Sequence, residues 1–351
     1  MNSEKQKPPT DTLCITPPPI KSSTNAAADL DGYILTGTTS HGRHFTPPSI
    51  ARLTARFAGP FKPEQHIHDP TCGSAAMLVH AYHLAQNDLN DNATPQSLRI
   101  TGQELNHSAV KTAETTAQTL GLDFDIRQGD TLTNPQFTTE DGQLISVDRV
   151  IANIPFSVDW DHGAALPDPH DRFDWTNSPP PESRADFAFL QHIISQLGER
   201  GRAAVIVPHS LLHRKADKRF REYIVENRLL DAVVDLPTGV FPDTNTKVSI
   251  MVLDTGTDHQ HPENIFMAML TDEECVEVDG RLVIPDEVQN TLLEAYWEHT
   301  QSSHTASTEN ESDIPTRTPS TNNEAHNDAT TEKAAQANNP PAENTTLDNW
   351  T

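Results

Sequence analysis

The chain is 351 residues long, 35% hydrophobic, and carries 25 basic against 50 acidic side chains, a net charge of -25. That length allows two or three domains at about 100 to 200 residues each, while the acid excess excludes a protein that grips nucleic acid with its surface at large, since phosphate contacts from Lys and Arg supply most of such affinity. Three cysteines (Cys14, Cys72, Cys275) without CxxC spacing exclude a disulfide scaffold and a cysteine zinc cluster, and the lack of a signal-peptide core or of an apolar run of about 18 residues leads us to expect a cytoplasmic protein without membrane contact.

Residues 1–40 are rich in Pro, Ser and Thr (KPPT, ITPPPI, STNAAAD) without periodicity, and we expect them to be disordered. From residue 47 short apolar runs alternate with helical patterns, the sequence form of an α/β protein built from βαβ units. PPSIARLTARFAG opens on prolines that suit a helix N-terminus and stops at Gly59. HIHDP (66–70) reads as a strand ending at Asp69, followed by a turn and the helix AAMLVHAYHLAQNDL. LRITGQE (98–104) is a second strand, Asn106 to Leu120 a helix, LDFDIRQ a third strand and VDRVIAN (147–153) a fourth. A loop of about 27 residues follows, and loops this long in compact domains are functional or mobile. Beyond it come a helix over 184–198, the strand GRAAVIVP (201–208), a helix over 216–227, the strands DAVVDLP and VSIMVLD, and a late helix, DEVQNTLLEAYWEH. Residues 301–351 hold only Ile314, Leu347 and Trp350 as large apolar side chains, so they cannot offset their ordering entropy. We expect a disordered acidic tail there and a single large domain over 41–300.

Open parallel sheets bind ligands beyond the carboxyl ends of their strands. Asp69, Glu104, Asp130 and Asn153 each fall at or just after a strand end. Any one of them alone reads more readily as a turn former or helix cap; four in successive units, with a glycine turn after the first, point to a nucleotide-like ligand. DPTCGSAAML places Gly73 and a helix N-terminus at such a ligand, yet it is neither a P-loop nor a GxGxxG motif. Glu104 is positioned to accept from ribose hydroxyls or to start a helix; Asp130 could accept from an adenine amine or cap a turn. NIPF (153–156) is the most informative tetrapeptide. The amino group on an aromatic ring is a poor nucleophile because its lone pair is delocalised. The amide oxygen of Asn153 and the carbonyl of Ile154 could both accept its hydrogens and favour a pyramidal nitrogen, with Pro155 fixing the backbone and Phe156 stacking on the ring. The ordinary alternative is a turn with an apolar anchor.

Taken in order, FTPP (45–48), DPTCGSAAML (69–78), TGQELN (101–106), QGDTL (128–132) and ANIPF (152–156) resemble the N6-adenine DNA methyltransferases that use S-adenosylmethionine. The stretches DRFDWTNSPPPESRADFAFLQHIISQL, GRAAVIVPHSLLHR, FREYIVEN and LPTGVFPDTNTKVSIMVL further resemble the modification subunit of type I restriction-modification systems, and the similarity covers residues 41–255. This resemblance implies a Rossmann-like S-adenosylmethionine-dependent methyltransferase fold, a seven-stranded, mostly parallel sheet with helices on both faces, in which VSIMVLD fits the one antiparallel strand. It implies that Phe45, Thr46 and Pro47, with Asp69, Gly73 and Ser74, hold the methionine part of the cofactor. Glu104 would bind its ribose and Asp130 its adenine, while Asn153, Ile154, Pro155 and Phe156 would hold a flipped-out adenine for methylation at N6, in chemistry that needs no metal. The implied partners are DNA, a separate specificity subunit that chooses the site, and a restriction subunit.

The chain departs from the family pattern in three ways. Ala75-Ala76 stand where Gly-Gly is usual, placing two methyl groups that either crowd the cofactor or pack in the helix. NIPF replaces NPPF but keeps the acceptor carbonyl, as in the NIPY and NLPY of adenine-modifying RNA methyltransferases. The flanking helical domains of type I modification subunits are not recognisable here. Of the remaining features, His80 and His83 are assigned to a helix surface and Phe187 and Phe189 to packing; Trp160 and Trp175 either pack the long loop or stack on nucleotides. Arg214, Lys215, Lys218, Arg219 and Arg221 form the densest basic cluster, a solvated face or a strip for phosphates. Two rival readings stay open: a non-catalytic methylase-like subunit that binds DNA or a partner, and the same chemistry on RNA adenine or protein glutamine.

Overall fold

The structure is a computed structural model that describes residues 46–88, 98–241, 244–256, 265–278 and 280–310. In chain order the elements are α1 (Pro48–Ala58), β1 (His66–Asp69), α2 (Ala76–Asp88), β2 (Arg99–Glu104), α3 (His107–Leu120), β3 (Phe124–Gln128), β4 (Val147–Asn153), α4 (His162–Ala165), α5 (Asp186–Gln196), β5 (Leu197–Pro208), α6 (Lys218–Glu226), β6 (Leu230–Asp235), β7 (Val248–Asp254), β8 (Phe266–Met269), β9 (Val276–Val278), β10 (Arg281–Val283) and α7 (Asp286–Asn310). The last helix runs past residue 300 into the stretch expected to lack structure; 311–351 and the Pro-rich start lie outside the described residues. Among the described residues no helix is long and apolar enough to cross a membrane.

The main sheet has the order β3-β2-β1-β4-β5-β7-β6-β8. β3, β2, β1, β4 and β5 are mutually parallel, and β7 runs antiparallel to both β5 and β6. VSIMVLD is that antiparallel strand, as expected, but the sheet has eight strands and not seven. The extra strand, β8, pairs parallel to β6 at the edge. No element is expected there from the sequence, although IFMAML (265–270) is a continuous apolar run; in β8 only alternate residues face the core, leaving Met267 and Met269 exposed. Chain order reverses between β1 and β4, which opens a crevice at their carboxyl ends.

Both faces of the sheet are covered. Ala204 and Ile206 of β5, with Ile250 and Val252 of β7, join the core under α1, α2 and α7; Ala203, Val205 and Val207, with Met251 and Leu253, join the one under α5 and α6. This is the period of two that a strand buried on both faces must show. Phe187 and Phe189 are buried in the second core, as the sequence suggests, whereas His80, assigned to a helix surface, is buried in α2.

Two arginines fasten the periphery. Arg172 is 1% exposed, binds Asp168 through Nε and Nη2, and donates to the carbonyls of Thr131 (2.9 Å) and Leu132 (2.7 Å), fixing the long loop after β4 to the loop after β3. Trp160 donates to the Pro181 carbonyl and packs edge-on to Phe173, and Trp175 stacks on Tyr223 of α6, so both tryptophans pack the loop. Arg202 of β5 binds Asp254 (2.8 Å) and Asp231 (3.3 Å) and donates to the hydroxyl of Tyr296, which donates to Asp231. This network clasps α7 to the sheet. Because removing one partner of a buried ion pair leaves the other uncompensated, Arg202→Met should lower stability by about 3–5 kcal/mol in a urea unfolding titration. A loss below about 1 kcal/mol would show that the network is well solvated.

Candidate functional site

β3, β2, β1 and β4 are adjacent and parallel, so their carboxyl ends form one edge of the crevice. Asp69 closes β1, Glu104 closes β2, Asp130 follows β3 and Asn153 closes β4, so the structure brings all four strand-end residues to this edge. The turn after β1 is tied to its neighbours by hydrogen bonds. Thr71 N–H donates to Asp69 Oδ1 (2.9 Å), Cys72 N–H to the Gln103 carbonyl (2.9 Å) and Gly73 N–H to Glu104 Oε2 (3.0 Å), while the Thr71 hydroxyl donates to the Asn153 carbonyl (3.3 Å). The Thr131 hydroxyl, beside Asp130, donates to the Pro70 carbonyl at 2.5 Å.

Gly73 has φ +54°, and a Cβ added there would meet nothing within 4 Å, so the turn offers bare backbone to open space. Ser74 is half-buried in the same turn. Glu104 accepts from the N–H groups of Gly73 and Asn106, and Asp130 Oδ1 from those of Leu132 and Thr133. Asp69 is almost fully buried; burial, with the Glu104 charge adding, pushes its carboxyl up to about 8 against the Thr71 N–H that stabilises the anion. It is therefore largely protonated at neutral pH.

Asn153 Nδ2 donates to the Thr46 hydroxyl at 2.9 Å, and its Oδ1 is buried without a hydrogen-bond partner. Thr46 thus orients the amide that the sequence places in the pocket. Pro47 caps α1, accepting from the N–H groups of Ile50 and Ala51; Phe45 lies outside the described residues. Ile154 is buried, Pro155 exposed, and Phe156 half-buried against both cores. An unpartnered buried acceptor costs about 1–3 kcal/mol, so this oxygen is open to a donor from a ligand or a water.

The methyl groups of Ala75 and Ala76 are both buried, Ala75 in the core under α2 and Ala76 against Val79, Leu120 and Phe124, so they pack rather than stand over the turn. Ala75 does adopt φ +67°, where glycine is normally favoured. Two members of the basic cluster are turned inward. Arg214 binds Asp186 (2.7 Å) and Asp217 (2.5 Å), and Arg221 is buried, donating to the carbonyls of Leu211 and Arg214. Arg219 donates to Ser178 and Pro179 but stays exposed, as do Lys215 and Lys218.

Sequence reading passed over several residues that build the edge. Thr71 links β1 to β4, and Gln103 receives the turn on its carbonyl. Gly102 lets that turn lie close, since a Cβ there would meet Cys72 Sγ at 2.8 Å and Ile126 Cδ1 at 2.9 Å. A lone glycine inside a strand pattern was the available signal. Among the described residues no group of three or more His, Cys, Asp or Glu side chains is placed to hold a metal ion.

Comparison with known proteins gives a consistent family. A family model described as N-6 DNA Methylase matches residues 30–335. The type I restriction enzyme MpnII methylase subunit of Mycoplasma pneumoniae is 29% identical over 237 residues, covering 64% of this chain and 42% of that one. The HindI methylase subunit of Haemophilus influenzae is 28% identical over 215 residues, 59% of this chain and 44% of that one. The structure of a type I restriction-modification methyltransferase subunit from Streptococcus thermophilus superposes with a TM-score of 0.66 at 25% identity, over 78% of this chain and 57% of that one. The chain spans less than half the length of these two curated relatives.

Two measurements follow from this geometry. Left-handed backbone costs alanine about 1–2 kcal/mol, but the buried methyl returns about 0.8 and glycine would gain unfolded-state freedom worth about 0.4–1. These nearly cancel, so Ala75→Gly should change stability by less than about 1 kcal/mol in a denaturant titration; a larger shift either way would contradict the packing described. His68, beneath Asp69, is fully buried against Phe137 and bonded to Thr101, and burial pushes its imidazole from 6.5 down to about 3. The unfolded chain takes up a proton there below about pH 6.5 and the folded chain does not, so this stabilisation is present above 6.5 and lost as pH falls toward 3. Asp69, raised to about 8, acts in the opposite sense but is common to wild type and variant, so it cancels in the comparison. Between pH 7 and 5 the wild type should lose about 2 kcal/mol more than His68→Gln; equal losses would mean that this ring is not held neutral.

Proposed function

The chain belongs to the N-6 DNA methylase family, and on that premise we propose that its domain over 41–300 transfers a methyl group from S-adenosylmethionine to N6 of an adenine turned out of DNA. The observation that carries this reading is the Asn153 amide, whose nitrogen is committed to Thr46 while its buried oxygen is unpartnered. An amine hydrogen of adenine would satisfy that oxygen, and the Ile154 carbonyl would take the second. Both bonds strengthen as the nitrogen becomes pyramidal and its lone pair leaves the ring, so they favour the transition state over the ground state. Phe156 provides the face on which the base would stack.

The residues present suit the cofactor. Gly73 leaves open space over its backbone, Glu104 is placed to accept from ribose hydroxyls, and Asp130 has a second oxygen for the adenine amine. S-adenosylmethionine, when bound, supplies a methyl group on a positively charged sulfur. Its transfer to N6 would break the C–S bond, leave a neutral thioether and release one amine proton to solvent. This chain's part is to hold the base and accept its hydrogens, without a covalent intermediate.

DNA and a separate specificity subunit are the partners we propose, with a restriction subunit as a further member of the assembly. The net charge of -25 and the inward turn of Arg214 and Arg221 both support a grip on DNA supplied by another chain. The packing of Ala75 and Ala76 away from the turn counts against one of the two grounds for a non-catalytic reading, the other being the flanking helical domains not recognised in the sequence. In calorimetric titration the wild type should bind S-adenosylmethionine, and Asn153→Ala should bind it equally while N6-methyladenine, counted by mass spectrometry in the DNA of expressing cells, falls by about 10²–10³-fold. A wild-type chain that does not bind the cofactor would defeat the proposal.

A further inference from the structure

Downstream of the base-holding tetrapeptide, Ser157 adopts φ +51°, a conformation that side chains rarely take. Its N–H donates to Asp186 Oδ1 at 2.8 Å. Asp186, at the start of α5, is fully buried; its Oδ2 receives Arg214 Nη2 at 2.7 Å, and Arg214 Nε is in turn held by Asp217 at 2.5 Å. The two sides of the loop are also laced by main-chain bonds, from Ala185 N–H to the Val158 carbonyl (2.8 Å) and from Trp160 N–H to the Glu182 carbonyl (2.9 Å). At the other end Asn153 is fixed by its register with Ile206 of β5 and by Thr46. Residues 153–156 are therefore clamped at both ends, and the downstream clamp is a buried carboxylate that an arginine holds in place.

We propose that Asp186, locked by Arg214, is a positioning residue for the transfer reaction: through the Ser157 N–H it sets the direction in which the Ile154 carbonyl and the Phe156 ring meet the adenine. This rests on the adenine-methylating reading above. The side-chain bonds of Asp186 and Arg214 described above go to Ser157, to Asp217 and to each other, and not to Asp69, Gly73, Glu104 or Asp130, so loosening the clamp displaces the base while leaving the cofactor edge in place. An error of about 1 Å in a reacting group lowers a rate by about 10²-fold.

The test uses the full chain, purified with the subunits that accompany it from its own cells, as wild type, Asp186→Ala and Asp186→Asn. S-adenosylmethionine affinity is read by calorimetry, and the rate of N6-methyladenine formation in unmethylated DNA is read at saturating cofactor. Asp186→Ala should transfer about 10²-fold more slowly with cofactor affinity within about 2-fold of wild type, and Asp186→Asn, which keeps an oxygen for the Ser157 N–H but not the charge, should recover to about a tenth of the wild-type rate. Asn no better than Ala, or cofactor affinity falling with the rate, would reduce the ion pair to a brace of the fold and overturn the proposal. A methylating wild type with an undiminished Asp186→Ala would overturn it alone. A wild type that binds the cofactor yet leaves adenine unmethylated would overturn the functional reading, and this proposal with it.

Discussion

The Asn153 side chain is fixed by the bond from its nitrogen to the Thr46 hydroxyl, and its oxygen is buried without a partner. Everything at the carboxyl edge of the sheet is arranged around that condition. The reversal of chain order between β1 and β4 brings Asp69 and Asn153 side by side, and Thr71 spans the gap by bonding to both. Thr46, which precedes α1, joins the first described residues to the end of β4, so the amide is oriented by a segment more than a hundred positions away in the chain. An acceptor aimed in this way does not need to reorganise when charge develops on a reacting amine, and that absence of reorganisation is where such sites get most of their catalytic advantage.

The elements that could be read in the sequence are those whose pattern is local. β4, β5 and β7 announce themselves as short apolar runs, β1 and β2 by their place before helical patterns, and the four strand-end residues follow from the rule that such sheets bind ligands at their carboxyl edge. β8 lies in the apolar run IFMAML (265–270), where no strand is expected from the sequence, whereas β9 and β10, three residues each and mostly exposed, leave no apolar run to read. The clamp on Ser157 was equally hidden. Asp186 and Arg214 stand 28 positions apart and Asp186 and Ser157 29, so no spacing rule connects them. Arg172 and Asp168, four apart, look like any surface pair, yet both are almost fully buried.

The basic cluster shows how charge counting misleads at close range. Arg214 and Arg221 were counted as cations available to a partner, but one neutralises two buried carboxylates and the other serves main-chain carbonyls. Arginine suits such tasks because its planar fork satisfies several acceptors at once and stays charged when buried. Neither of these two guanidinium groups is therefore available to a partner.

Arg172 has a consequence of its own. Its guanidinium reaches the carbonyls of Thr131 and Leu132, directly after Asp130, while its backbone belongs to the segment that begins at residues 153–156, proposed above to hold the base. One strut therefore joins the wall that would touch the donor's purine to the wall that would touch the acceptor's. The separation of the two walls is thereby a property of the folded chain, set before any guest arrives.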